Sequence, residues 1–296
     1  MKKLRIAFTW YEITDYRWRL TDGLGAALKL LEQKHKVGYF EPFDHDGIHD
    51  FKPDVLLHWG PLCGNDIKDV KYLPYKKAIC FAGGPIDELN VDGFDLYFTE
   101  SAVNEEEFTK FGVPWKRAFG INEKLFTPEN LPKKYDGMFA GTFAKWKRPE
   151  LFAKAVGNKG VAIGLHQEFE KECYEVCLEA GMEVYPDTHR SKIPALINQS
   201  HTVVNCADYW GGGQRLTLEA MACNVPPIVM NDSPKNMEYV EESGFGIIVP
   251  PNVDEIKQAI AMVKHNPWEP KGRDYILSKF SSQIYANQLE EGLCNL

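Results

Sequence analysis

Residues 203–230 constrain the fold of this chain more than any other stretch. Val203-Val204-Asn205-Cys206 is a short apolar run and Gly211-Gly212-Gly213 a loop of bare backbone. Leu216 to Cys223 alternates as an amphipathic helix does, and Val225 to Met230 is a second apolar run entered through Pro226 and Pro227. Periodicity and breakers together read as strand, glycine loop, helix and strand, which is one βαβ step of a parallel sheet. Consecutive glycines bring unpaired N–H groups to a helix start, where the positive end of the dipole favours a phosphate. Arg215 stands beside that loop, and Glu219 one turn later is placed to accept hydrogen bonds from hydroxyls of whatever the phosphate carries. The glycines alone fit an ordinary tight strand-to-helix connection equally well.

The same alternation runs through the whole chain, the pattern of parallel sheets covered by helices. Strands are expected at Leu4–Phe8, 37–40, 54–58, 78–81, 137–141, 161–164, 183–185, 202–206, 227–230 and 246–249. Helices are expected across roughly 16–33, 149–156, 168–180, 192–199, 216–223, 253–264 and 274–291. With 296 residues, 44% of them hydrophobic, the chain has material for two cores. The polar, proline-containing stretch from Pro128 to Lys134 reads as a hinge. The domains are therefore expected at 1–130 and 131–273.

A net charge of −8 argues against nonspecific capture of nucleic acid or of an anionic membrane. No window approaches the ~18 apolar residues of a membrane span. Met1 to Trp10, interrupted by Arg5 and followed by no cleavage site, reads as a first strand and not a signal peptide. Seven cysteines without paired Cys-x-x-Cys spacing indicate neither a disulfide framework nor zinc, and a cytoplasmic setting is expected. Cys173 and Cys177, one turn apart, read as buried thiols.

Leu218-Glu219-Ala220-Met221-Ala222-Cys223 and Val225-Pro226 resemble the donor-binding signature of GT-B glycosyltransferases of the family 4 type. That pattern runs Glu-Gly-Phe-Gly, four residues, then Glu-Ala-Met-Ala-Cys-Gly-Val-Pro. Gly211 stands here for the first Glu, Gly213 for the Phe and Asn224 for the last Gly. Phe139-Ala140-Gly141-Thr142-Phe143 followed by Lys147 resembles the first strand and loop of the nucleotide domain, with Thr142 for an Arg and Arg148 for a Gly. Leu96–Ser101, Phe111–Pro114, Phe119–Asn122, Phe126–Pro128, Glu238–Val240 and Gly244–Pro250 extend the resemblance to about two thirds of the chain.

The resemblance implies two Rossmann-like α/β/α domains facing each other across a cleft. The N-terminal domain would bind the acceptor, with the 274–296 helix packing back on it, and the C-terminal domain the nucleotide-diphosphate sugar. The implied activity is hexosyl or pentosyl transfer, retaining and without a metal. Lys147, Arg215 and Glu219 carry it: two cations for the diphosphate and a carboxylate for the ribose hydroxyls. Gly141, Thr142, Arg148, Gln214 and Thr217 join the Gly211, Gly212 and Gly213 loop on the donor side. Tyr185, at a strand end, packs the base or merely turns the chain, and His166 touches phosphate or base or is incidental. Asp208, three residues before Gly211, is the nearest carboxylate for the sugar hydroxyls that the missing Glu would hold; it equally suits a turn cap. His58, Trp59, Gly83 and Gly84 face the acceptor.

Asp44-His45-Asp46 has metal-binding spacing but lies in a polar loop. No cofactor is expected beyond the donor itself. The partners implied are a nucleotide sugar and a carbohydrate or other acceptor, small or polymeric. The rival readings are a nucleotide-sugar hydrolase or epimerase of the same fold and a non-catalytic sugar-nucleotide binding protein.

Overall fold

A computed structural model describes residues 3–10, 22–60, 65–81, 86, 91–166, 170–209 and 214–296. The chain divides into two compact units, Met1–Asn122 with Phe280–Leu296, and Glu123–Lys279.

In the first unit the described strands are β1 (Arg5–Thr9), β2 (Lys36–Phe40), β3 (Val55–Gly60), β4 (Lys76–Phe81), β5 (Leu96–Thr99) and β6 (Trp115–Arg117). They form a parallel sheet in the order β2-β1-β3-β4-β5-β6. Period-two alternation sends Ile6, Phe8, Val55, Leu57, Ala78, Cys80, Leu96 and Phe98 to one core. Ala7, Leu56, Ile79, Phe81 and Tyr97 go to another on the opposite face. Both faces are thus covered, as parallel sheets require. Tyr285, Ala286, Leu289 and Leu293 of the Ser282–Cys294 helix complete the first core against Leu24 and Leu28. Glu290 of the same helix accepts from Lys34 Nζ at 2.6 Å.

In the second unit β7 (Gly137–Ala140), β8 (Gly160–Gly164), β9 (Glu183–Pro186), β10 (Val203–Asn205), β11 (Pro227–Met230) and β12 (Ile247–Val249) are also parallel, in the order β12-β11-β10-β7-β8-β9. The order reverses between β7 and β10. Ligands of such sheets bind outside the carboxyl ends of the strands at that reversal. On one face of the sheet Phe139, Ala162, Val204 and Ile228 share a core with Phe152, Cys177, Ile256 and Val263.

Three expectations change. The stretch from Pro128 to Lys134 is not a free hinge but belongs to the second unit. Glu129 N–H donates to Asn198 Oδ1 at 2.9 Å, Lys133 Nζ to the Ser200 carbonyl at 2.6 Å, and Lys134 N–H to the Gln199 carbonyl at 2.8 Å. The expected 274–291 helix is two, Gly272–Lys279 in the second unit and Ser282–Cys294 in the first, separated where Ser281 caps the latter by accepting from Ile284 N–H at 3.4 Å. Asp44, finally, is a cap: its carboxylate accepts from Gly47 N–H at 3.0 Å at the start of the His45–Phe51 helix.

Asn224, where the resembled pattern has glycine, takes φ 53°, the left-handed turn that ends the Gln214–Ala222 helix. Its side chain also accepts from Arg273 N–H at 2.8 Å. Asparagine tolerates this conformation better than other residues with a Cβ. Asn224→Ala is therefore expected to cost about 1–3 kcal/mol and Asn224→Gly less, measured by urea denaturation, because alanine adds strain to the lost hydrogen bond.

Candidate functional site

The turns that leave β7, β10 and β11 are bonded into one patch at the point where the strand order reverses. After β7 the chain passes Gly141, where a Cβ on Gly164 would lie 1.5 Å from the Gly141 carbonyl oxygen, so β8 must end in glycine. A single helical turn, Lys145–Lys147, follows. Its Trp146 carbonyl accepts from Asp208 N–H at 3.0 Å, beyond β10. The stem of Lys147 runs alongside Gly141, 3.9 Å from where a Cβ would stand.

Arg148 departs from its expected role at the donor. It sits at φ 47°, the left-handed conformation that explains a glycine in the family pattern. Its guanidinium forks onto Asp232 at 2.6 and 2.8 Å and donates through Nε to the Cys206 carbonyl at 2.6 Å. It clamps the ends of β10 and β11 to the Lys147 turn.

Arg215 and Glu219, four residues apart on the Gln214–Ala222 helix, share a face. Glu219 is buried at 2% exposure. Burial pushes its carboxyl pKa up, while the Arg190 and Arg215 charges pull it down. Arg190 Nη2 donates to Glu219 Oε1, whereas Arg190 Nε is buried without a hydrogen-bond partner among the described residues. Sequence reasoning missed Arg190. It lies in the Arg190–Lys192 turn beyond β9, on no motif, and the available signal was the need of a buried carboxylate for a cation.

Thr217 is a fastening and not a ligand contact. Fully buried, it bonds Asn236 Oδ1 at 2.8 Å and accepts from Asn205 Nδ2 at 3.1 Å, tying β10 to both following helices. Thr142 and Asp208 are half-buried at the strand ends. His166 N–H donates to Asp187 Oδ1 at 2.9 Å, its ring rests 4.7 Å from Tyr174, and its Nε2 is buried without a partner among the described residues. Tyr185 donates to Glu183 and lies under the Lys192 ammonium, 5.1 Å from ring centre. Gln214 opens the helix, while Gly211, Gly212 and Gly213 lie outside the described residues, as do Gly83 and Gly84.

In the first unit, His58 is a core histidine and not an acceptor contact. It is fully buried, bonded through Nδ1 to Thr9 Oγ1 at 2.9 Å and stacked at 6.3 Å on Phe94. Burial lowers its pKa to about 4. Trp59 is half-buried and meets Trp10 edge-on at 5.0 Å.

The family model described as Glycosyl transferases group 1 matches residues 122–277, more than half of the chain. The chain belongs to this family. It is a glycosyltransferase, and its two parallel sheets are those of the GT-B fold. Sucrose-phosphate synthase from Thermosynechococcus elongatus is similar in structure at 13% identity, with 99% of each chain covered and a TM-score of 0.74. HepE from Anabaena, solved in complex with UDP and glucose, is similar at 14% identity, with 99% of this chain and 100% of that one covered and a TM-score of 0.71. A putative UDP-N-acetylglucosamine 2-epimerase from Listeria monocytogenes is similar at 11% identity, with 99% and 96% covered and a TM-score of 0.65. No curated protein sequence matches the glycosyltransferase significantly.

Proposed function

We propose that the second unit binds a nucleoside diphosphate sugar and that the enzyme moves the sugar to an acceptor hydroxyl, with retention of anomeric configuration and without a metal ion. One observation carries this reading: a buried carboxylate flanked by arginines, Glu219, on the helix after β10, with Lys147 in the turn that follows the adjacent strand β7. Lys147 and Arg215 take the charge of the diphosphate, and Glu219 accepts from the ribose hydroxyls while Arg190 donates to its other side. As the bond from anomeric carbon to phosphate oxygen breaks, the acceptor oxygen bonds to that carbon on the same face. The acceptor proton passes to the departing phosphate oxygen. The two cations stabilise the charge that develops there, the work a metal does in other transferases. The acceptor is assigned to the first unit, with Trp59 as its described candidate contact, and the setting to the cytoplasm.

UDP-sugars are the first donors to test, since HepE was solved with UDP and glucose. UDP release from UDP-glucose and related donors is expected to require an acceptor and to survive EDTA. Release without acceptor, or interconversion of the donor sugar, favours the hydrolase or epimerase reading, whose fold the Listeria protein shares. Inhibition by EDTA reversed by Mg²⁺ overturns the metal-free step.

Glu219→Gln is expected to weaken ribonucleotide binding about tenfold or more and to leave the 2′,3′-dideoxy analogue nearly unaffected, measured by calorimetry, because a hydrogen bond to a charged acceptor is worth about 1.5–3 kcal/mol. Equal losses for the two ligands would remove the ribose role.

A further inference from the structure

Lys235 is a buried charge that the site described above leaves unused. It stands in the first turn of the Pro234–Ser243 helix and is 2% exposed. Among the described residues its ammonium meets no carboxylate and no hydrogen-bond acceptor. The ammonium lies over the Tyr209 ring, with Nζ 5.9 Å from the centroid. Two unfavourable terms act on it. Its stem is buried with no counter-charge beside the ammonium among the described residues, and a cation in the first turn faces the positive end of the helix dipole. The ring quadrupole offsets only part of this. The adjacent acid is committed elsewhere, since Asp232 receives the fork of Arg148.

The place of Lys235 supplies the reason for keeping it. Ser233 Oγ donates to the Asp208 carbonyl at 3.4 Å, and Asp208 N–H donates to the Trp146 carbonyl at 3.0 Å. The turn that carries Lys235 is therefore bonded to the turn that carries Lys147, across the strand ends of β10 and β7. Tyr209, under the ammonium, leads into the glycine loop before Arg215.

We propose that Lys235 is a further anion-binding residue of this site, its ammonium donating to a phosphate oxygen of the diphosphate. The ligand's identity rests on the donor reading above; the ammonium's need for an anion does not. The test compares wild type, Lys235→Met and Lys235→Arg, with inorganic pyrophosphate and UDP as probes in calorimetry and ligand-free melting as the control. Lys235→Met is expected to bind both probes about tenfold or more weaker, the loss of one charge-assisted hydrogen bond. It should melt no lower than wild type without ligand, and Lys235→Arg should keep most of the pyrophosphate affinity. Equal pyrophosphate affinity in wild type and Lys235→Met, or no pyrophosphate binding by wild type, overturns the proposal. Early melting of ligand-free Lys235→Met assigns the residue to folding and overturns it too. Pyrophosphate binding that depends on Lys235, with no tighter binding of any nucleoside diphosphate, supports the anion site and defeats the donor reading alone.

Discussion

Lys147→Ala is expected to lower affinity for a nucleoside diphosphate about 10- to 100-fold and to lower the rate of transfer further still. The stem of Lys147 runs alongside Gly141, in the turn that follows β7. A hydrogen bond from that ammonium to phosphate is worth about 1.5–3 kcal/mol in binding. Charge grows on the phosphate as the glycosidic bond breaks, so the same contact contributes more in the transition state than in the complex. Arg215→Ala is expected to do the same and one thing more. Arg215 is one of the two charges holding down the carboxyl pKa of buried Glu219, so its removal lets that pKa rise. The acid limb of the pH–rate profile should then shift to higher pH in Arg215→Ala and stay in place in Lys147→Ala. Calorimetry and a pH series check both, and unchanged affinity in the two variants would defeat the proposed clamp.

The second large effect concerns stability and belongs to His58. Its folded pKa of about 4 lies below the ordinary value of 6.5, because burial penalises the charged ring. Above pH 6.5 the ring is neutral in folded and unfolded chains alike, and folding is undiminished. As pH falls below 6.5 the unfolded chain takes up a proton that the folded chain refuses, and stability drops by about 1.4 kcal/mol per pH unit until the folded ring titrates near pH 4. The total is about 3 kcal/mol, to be read from urea denaturation of the first unit's signal between pH 7 and 4. His58→Gln, which does not titrate, should flatten that slope, and an unaltered slope in this variant would place the acid sensitivity elsewhere.

The sheets were legible because their strands obey simple rules. Val55 to Leu57 and Ala78 to Phe81 are apolar throughout, as strands buried on both faces must be, and the glycine loop with the Ala220-Met221-Ala222 helix marks a βαβ step from residues alone. What escaped depends on contacts distant in sequence. Nothing local distinguishes a histidine that meets a ligand from one bonded to Thr9, 49 positions away. Arg190 finds Glu219 across 29 positions, and Arg148 finds Asp232 across 84. The Pro234–Ser243 helix did leave a local signal, proline at its start and Gly244 at its end, yet its run of Lys235, Asn236, Glu238, Glu241 and Glu242 carries little apolar periodicity to mark it.

The division of the chain has a consequence for how the protein is made. Residues 123–279 are continuous and close upon themselves, whereas the first unit awaits Tyr285, Ala286, Leu289 and Leu293 to fill its core. On the ribosome the order of completion is thus the reverse of the order of encoding. The later-translated unit has all its parts first, while the earlier one emerges with the Leu24 and Leu28 face of its helix uncovered. For that interval the nascent protein presents an apolar strip to its surroundings, a natural point for chaperone capture or for misassembly between neighbouring chains.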